Sequence, residues 1–114
     1  MKVVFIAGAY SAPTEWGVIQ NIRASEDAAI QIWNMGAAAM CSNKNQAHLG
    51  GTAPSGVWLE GNLEFVRRSD AVFCVAGWDK SSGARAEVEA AKKASIPVFE
   101  QMAEVRAWLE SPGR

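Results

Sequence analysis

A glutamate on the apolar stripe of a helix is an expensive placement, and this sequence contains one. The stretch Ser81-Ser82-Gly83-Ala84-Arg85-Ala86-Glu87-Val88-Glu89-Ala90-Ala91-Lys92-Lys93-Ala94 reads as a helix, and its two glutamates, two positions apart, face different ways. Glu89 has Arg85 and Lys93 four residues to either side, so it belongs to a solvated charge ladder. Glu87 shares its face with Ala84, Val88, Ala91 and Ala94. A carboxylate there costs free energy unless it is partnered or used. Two readings stay open: a boundary glutamate whose head reaches solvent, or a nucleophile or base aimed into a cleft.

Gly77-Trp78-Asp79-Lys80-Ser81-Ser82-Gly83 precedes that helix. Free amides at a helix start, two hydroxyls and a glycine that permits close approach suit a phosphate. Ser81 or Ser82 serves equally as an ordinary N-cap. Trp78 could stack on a base or cover the sheet edge. The other candidate edge is Gly8-Ala9-Tyr10-Ser11-Ala12-Pro13. It lacks the glycine spacing of a dinucleotide fingerprint, and no lysine follows a glycine loop as in nucleotide triphosphatases. A paired-aspartate phosphoacceptor site is absent too. With one histidine, His48, and two cysteines, Cys41 and Cys74, outside any Cys-x-x-Cys spacing, neither a metal nor another cofactor is expected.

These residues need elements to position them. Four short apolar runs read as buried strands: Val3 to Ala7, Ala37 to Cys41, Ala71 to Ala76 and Ile96 to Phe99. Helical periodicity covers Gly17 to Trp33, with Ile19, Ile22, Ala29 and Trp33 on one stripe, and Trp58 to Arg68, with Leu59, Leu63 and Val66 together. It returns from Ala84 to Ala94 and from Met102 to Leu109, before Ser111-Pro112-Gly113. Alternating strands and helices imply right-handed crossovers and a parallel sheet, an α/β fold with its cleft at the carboxyl ends of the strands. Ser42 to Gly56, polar and rich in Gly, Asn and Ser, fits no element and reads as a lid or binding loop, or else as a disordered segment.

The whole chain, 1–114, reads as a single domain, since 114 residues are enough for one core. Apolar residues at 49% and charged residues at 20% describe a folded protein. A formal charge of −1 gives no basic footprint for nucleic acid or a membrane surface, and no apolar run approaches the ~18 residues of a membrane span. The opening residues read as a first strand and not a signal peptide. A cytoplasmic protein with two buried free thiols is expected.

In four segments taken together the sequence resembles the nucleoside 2-deoxyribosyltransferase-like superfamily, in particular a small branch of phage and bacterial proteins related to 2′-deoxynucleoside 5′-monophosphate N-hydrolases. They are Phe5-Ile6-Ala7-Gly8, Leu59-Glu60-Gly61-Asn62-Leu63-Glu64, Ser69-Asp70-Ala71-Val72 and Gly77 through Glu87. The resemblance runs from Phe5 to about Phe99. It implies a flavodoxin-like, Rossmann-like three-layer sandwich of four to five parallel strands in order 2-1-3-4, and a homodimer or larger homo-oligomer. That order would part Cys41 from Cys74 by one strand.

By the same resemblance the ligand is a nucleoside or nucleotide, and Glu87 attacks the anomeric carbon as a retaining glycosidase does. Ser81 holds the place of a phosphate-binding serine. Asn62 stands where such proteins usually carry an aspartate, and Phe5 where a tyrosine is common. Asn62 can position a substrate hydroxyl but cannot donate a carboxyl proton. Glu60 or Asp79 could supply the missing acid. The site is therefore expected to comprise Glu87 and Asn62, with Gly8, Tyr10, Trp78, Asp79, Ser81, Ser82 and Gly83 against substrate. Its activity would be hydrolysis or transfer at an N-glycosidic bond. The alternative is a nucleotide-binding or sensing module that has kept the cleft and lost the acid, or a structural α/β protein with a vestigial cleft.

Overall fold

Along Val3-Val4-Phe5-Ile6-Ala7 successive side chains leave opposite faces of the backbone, and all but the first are buried. Val4 and Ile6 join one apolar cluster, Phe5 and Ala7 another. A strand buried on both faces belongs inside a parallel sheet with helices on either side. The computed structural model, which describes residues 1–111, puts it there.

In chain order the elements are β1 (Val3–Ala7), α1 (Glu15–Asn34), β2 (Ala38–Cys41), α2 (Ser42–Asn45), α3 (Ser55–Arg67), β3 (Ala71–Cys74), a 3₁₀ turn (Trp78–Lys80), α4 (Ser82–Lys93), β4 (Val98–Phe99) and α5 (Met102–Glu110). β1 pairs in parallel with β2, Val3 opposite Ala38, and with β3, Val4 opposite Ala71. β3 pairs in parallel with β4, and the order across the sheet is β2-β1-β3-β4. The fold is thus flavodoxin-like. On one face Ala28, Ala29 and Ile32 of α1 and Val105 and Trp108 of α5 pack on Val4, Ile6 and Phe73. On the other, Val66 of α3 and Ala84, Val88 and Ala91 of α4 pack on Phe5, Val72 and Cys74.

Several boundaries depart from the sequence reading. α1 starts at Glu15 because Thr14 caps it, its hydroxyl accepting from the Gly17 N–H at 3.0 Å. Its buried stripe is Ser25, Ala28, Ala29 and Ile32; Trp33, one step round from Ile32, is exposed. One residue's step turns a helix by about 100°, which takes the Trp33 side chain off the buried stripe. β3 stops at Cys74 because the chain turns at Gly77, whose φ of 87° a side chain would disfavour. β4 is only Val98–Phe99: Pro97 has no N–H to donate, and β3 is its sole neighbour.

Ser42 to Gly56 is not one irregular loop. Ser42–Asn45 forms a helical turn with Ser42 and Asn43 buried, and α3 begins at Ser55, directly after Pro54. The Glu89 ladder does not close either, since Arg85 donates to the Asp79 carbonyl at 2.8 Å. On α4, Ala94 is exposed, just past the helix end. Of the expected terminal stop, Pro112 and Gly113 lie outside the described residues.

Cys41 and Cys74 are free and buried, on strands parted by β1. Burial raises both thiol pKa values, that of Cys74 to about 12. Among the described residues no helix is long and apolar enough to cross a membrane.

Candidate functional site

β1 lies between β2 and β3, so the connections leaving its two sides diverge at its carboxyl end. Such a switch point opens a crevice above the sheet. Here it is a cleft of about 940 Å³, walled by the β1 exit (Gly8–Ser11), α2, the 50–56 segment, the first two turns of α3 and the start of α4.

Glu87 lies in this wall and is only 5% exposed. Of the two readings of its place on the stripe, the boundary glutamate with a solvated head does not hold. Burial raises its pKa from 4.5 to about 8, against an opposing pull from the side-chain amide of Asn62. The net rise corresponds to about 5 kcal/mol against the charged form. That rise is what remains after the amide's pull, so one hydrogen bond to a charged group, worth roughly 1.5–3 kcal/mol, has not restored what desolvation removes. Glu87 is therefore mostly protonated at neutral pH. It is also the one carboxylic acid lining the cleft among the described residues, and Lys80 is the one cation.

The structure brings together Gly8, Tyr10, Asn62, Ser81, Ser82, Gly83 and Glu87 around the cleft. Ser81 is the N-cap of α4, its Oγ accepting from the Ala84 N–H at 3.2 Å. That bond leaves its own O–H free to donate to a ligand. Ser82, next along, is exposed. Gly8 is a glycine for packing: a Cβ would lie 3.1 Å from Val75 Cβ and 3.3 Å from Ser25 Oγ. Tyr10 donates its hydroxyl to the Gln46 carbonyl at 3.1 Å, tying the β1 exit to the segment after α2.

Trp78 and Asp79, expected against substrate, do not line the cleft. The Trp78 ring packs on the α4 face of the core, and its indole N–H donates to Glu100 at 3.0 Å. Asp79 is exposed and holds Arg85 through its backbone carbonyl. Both lie in a 3₁₀ turn that carries them over the sheet edge toward the end of β4. Glu60 is exposed on α3 and outside the cleft as well. Phe5, at the place of a common tyrosine, is fully buried in the core. Neither candidate replacement acid reaches Glu87.

The structure adds residues the sequence reading did not assign. Asn43 donates from Nδ2 to the Ala9 carbonyl at 3.0 Å and to Ser25 Oγ at 2.9 Å, joining α2, the β1 exit and α1. Asn21 donates to the Tyr10 carbonyl at 2.9 Å. Trp58 and Lys80 line the cleft directly. Asn43 had a faint signal, a polar residue just past a strand at the carboxyl edge. Trp58 had a better one, its spacing of four from Asn62 on a helix. Among the described residues no three His, Cys, Asp or Glu side chains gather to hold a metal.

A parallel sheet in order 2-1-3-4 with a cleft at its switch point defines a flavodoxin-like α/β class. Within it, the sequence model of the family described as Domain of unknown function (DUF4406) matches residues 2–100. The chain belongs to that family. No curated protein matches it.

Proposed function

We propose that the cleft takes a nucleoside or nucleoside 5′-monophosphate and that Glu87 opens its N-glycosidic bond, with water as the preferred acceptor. The observation that carries this reading is a carboxyl group held 5% exposed in a cleft wall with one amide beside it and, among the described residues, no ion pair. Resemblance of the segments around Asn62 and Glu87 to the nucleoside 2-deoxyribosyltransferase-like superfamily supports it.

In this mechanism the ionised Glu87 carboxylate attacks the anomeric carbon while the carbon–nitrogen bond breaks and the base departs with the electron pair. Among the described residues the cleft wall has no second acid, so the base takes its proton from solvent. Water then attacks the anomeric carbon of the glycosyl ester, releasing the sugar and regenerating the carboxylate. Asn62 orients the Glu87 carboxyl and favours its charged form. Ser81, Ser82, Lys80 and the first amides of α4 face an anionic end of the ligand.

One observation favours a second reading, a binding or sensing module. Glu87 is mostly uncharged at neutral pH and Asn62 offers no carboxyl proton, so the wall has no ready nucleophile and no second acid to assist one among the described residues. Incubation with a panel of nucleosides and 5′-monophosphates, followed by chromatography for free base, separates the two. The enzyme reading expects slow base release that Glu87→Ala abolishes while ligand affinity is broadly kept. Release unmoved by that substitution removes Glu87 as nucleophile, and tight binding without any release leaves the sensing module.

A further inference from the structure

Trp58 is the large aromatic side chain of the cleft that nothing in the fold ties down. Tyr10, the other aromatic there, is fixed through its hydroxyl to Gln46. Trp58 is half-buried in the first turn of α3, and among the described residues its indole N–H makes no hydrogen bond. It stands one helical turn before Asn62, so the two side chains share a face of α3, and the Asn62 amide acts on Glu87. An aromatic plane is thereby set one turn from the amide that addresses Glu87.

The wall beside it is almost bare. The lining residues of the 50–56 segment are Gly50, Gly51, Ala53, Ser55 and Gly56, and a Cβ added at any of the three glycines would meet nothing within 4 Å. A half-buried indole that lines the same cleft as these small residues leaves room for something flat and wide. The same wall has few polar side chains to read the edge of a ring.

We infer that Trp58 is the platform on which the ligand's planar heteroaromatic ring stacks, and that the slot takes a two-ring base in preference to a one-ring base. This rests on the nucleoside reading above and names the part of the ligand that the α3 wall recognises. Stacking draws on the π-face that every base has, and a fused two-ring base covers more of the indole than a single ring. With few edge contacts to discriminate, preference follows overlap area. Adenine and guanine derivatives then bind alike, and both bind more tightly than cytosine derivatives.

The test is titration calorimetry on the whole chain with dAMP, dGMP, dCMP and ring-less 2-deoxyribose 5-phosphate. Loss of a stacked aromatic costs about five- to one-hundred-and-fifty-fold in affinity. Trp58→Ala should therefore weaken dAMP by about tenfold or more and leave 2-deoxyribose 5-phosphate within twofold, whereas Trp58→Phe should keep most of the dAMP affinity. Wild-type Kd values should rank dAMP and dGMP together, below dCMP. If Trp58→Ala leaves dAMP unchanged, or weakens the ring-less phosphate equally, the platform is refuted while the nucleoside reading stands. A wild type that binds dCMP as tightly as dAMP refutes the size preference. A wild type that binds none of the three nucleotides overturns the nucleoside reading and this inference with it.

Discussion

The amide of Asn62 on α3 acts on the carboxyl of Glu87 on α4, and it pulls the pKa of that carboxyl down while burial drives it up. Burial wins, and the pair sits near neutrality where either ionisation state is within reach.

The first prediction is a titration with a definite sign. Carbon-13 NMR of the Glu87 carboxyl should give a midpoint near 8, well above its ordinary 4.5. Because the folded value is raised, the folded protein keeps a proton that the unfolded chain releases. The stabilising contribution is full below pH 4.5 and is lost as pH rises through 8, at up to about 1.4 kcal/mol per pH unit. Urea unfolding of the wild type and Glu87→Gln at pH 5, 6.5 and 8 should show the substitution progressively more stabilising as pH rises. Any base release should climb over the same interval, since the attacking form is the carboxylate. A Glu87 midpoint below 5 contradicts this.

Asn62→Asp should speed base release. The substitution supplies a group able to donate a proton, and general acid assistance is typically worth ~10²–10⁴-fold. It also removes the amide donor and sets a like charge beside Glu87, so the Glu87 midpoint should rise further. A variant no faster than wild type, with Glu87 titrating as before, would show that residue 62 does not address the reacting centre.

A nucleoside 5′-monophosphate should bind at least about tenfold more tightly than its nucleoside, because one well-made hydrogen bond to a charged group contributes roughly 1.5–3 kcal/mol. Lys80→Ala and Ser82→Ala should each erode that margin while leaving nucleoside affinity alone. Calorimetry giving equal affinity for both ligands would reduce Ser81 to a helix cap.

Assembly is the fourth expectation. Trp16, Ile30 and Trp33 on α1 and Val57 and Phe65 on α3 are large apolar side chains left exposed. On a chain of 114 residues that is substantial apolar surface, of the kind symmetric contacts bury. Light scattering at micromolar concentration should report a homodimer or larger assembly, reduced by Trp33→Glu or Phe65→Glu. A monomer mass across that range would remove the expectation.

The sheet was legible because buried parallel strands are nearly pure apolar runs, and β1 and β3 were recognisable at once. Glu87 was legible because a carboxylate among Ala84, Val88 and Ala91 violates the helix pattern. Trp78 stayed open between a base-stacking ring and a cover for the sheet edge because strand-end aromatics look alike in sequence; the 3₁₀ turn after Gly77 takes it toward Glu100. The start of α3 was hidden by Pro54, Ser55 and Gly56, which read as loop chemistry and serve here as a helix entrance. Asn43 showed only its place just past a strand; its role was hidden, since its partners Ala9 and Ser25 lie far from it along the chain and meet only once β1, α1 and α2 are in place.

Asn43 also divides the cleft into two kinds of wall. On its side, the Ala9 carbonyl, Ser25, the Tyr10–Gln46 bond and the ion pair of Lys44 with Glu26 join the lining to distant parts of the chain. From Ala47 to Pro54 the hydrogen bonds among the described residues reach no further than three positions, as from Leu49 N–H to the Gln46 carbonyl and from Thr52 to Leu49. Insertions, deletions and exchanges in that stretch leave the scaffold of the other wall untouched. Rewriting eight consecutive residues can therefore reshape one wall of the cleft without re-solving the fold that holds Glu87 in place.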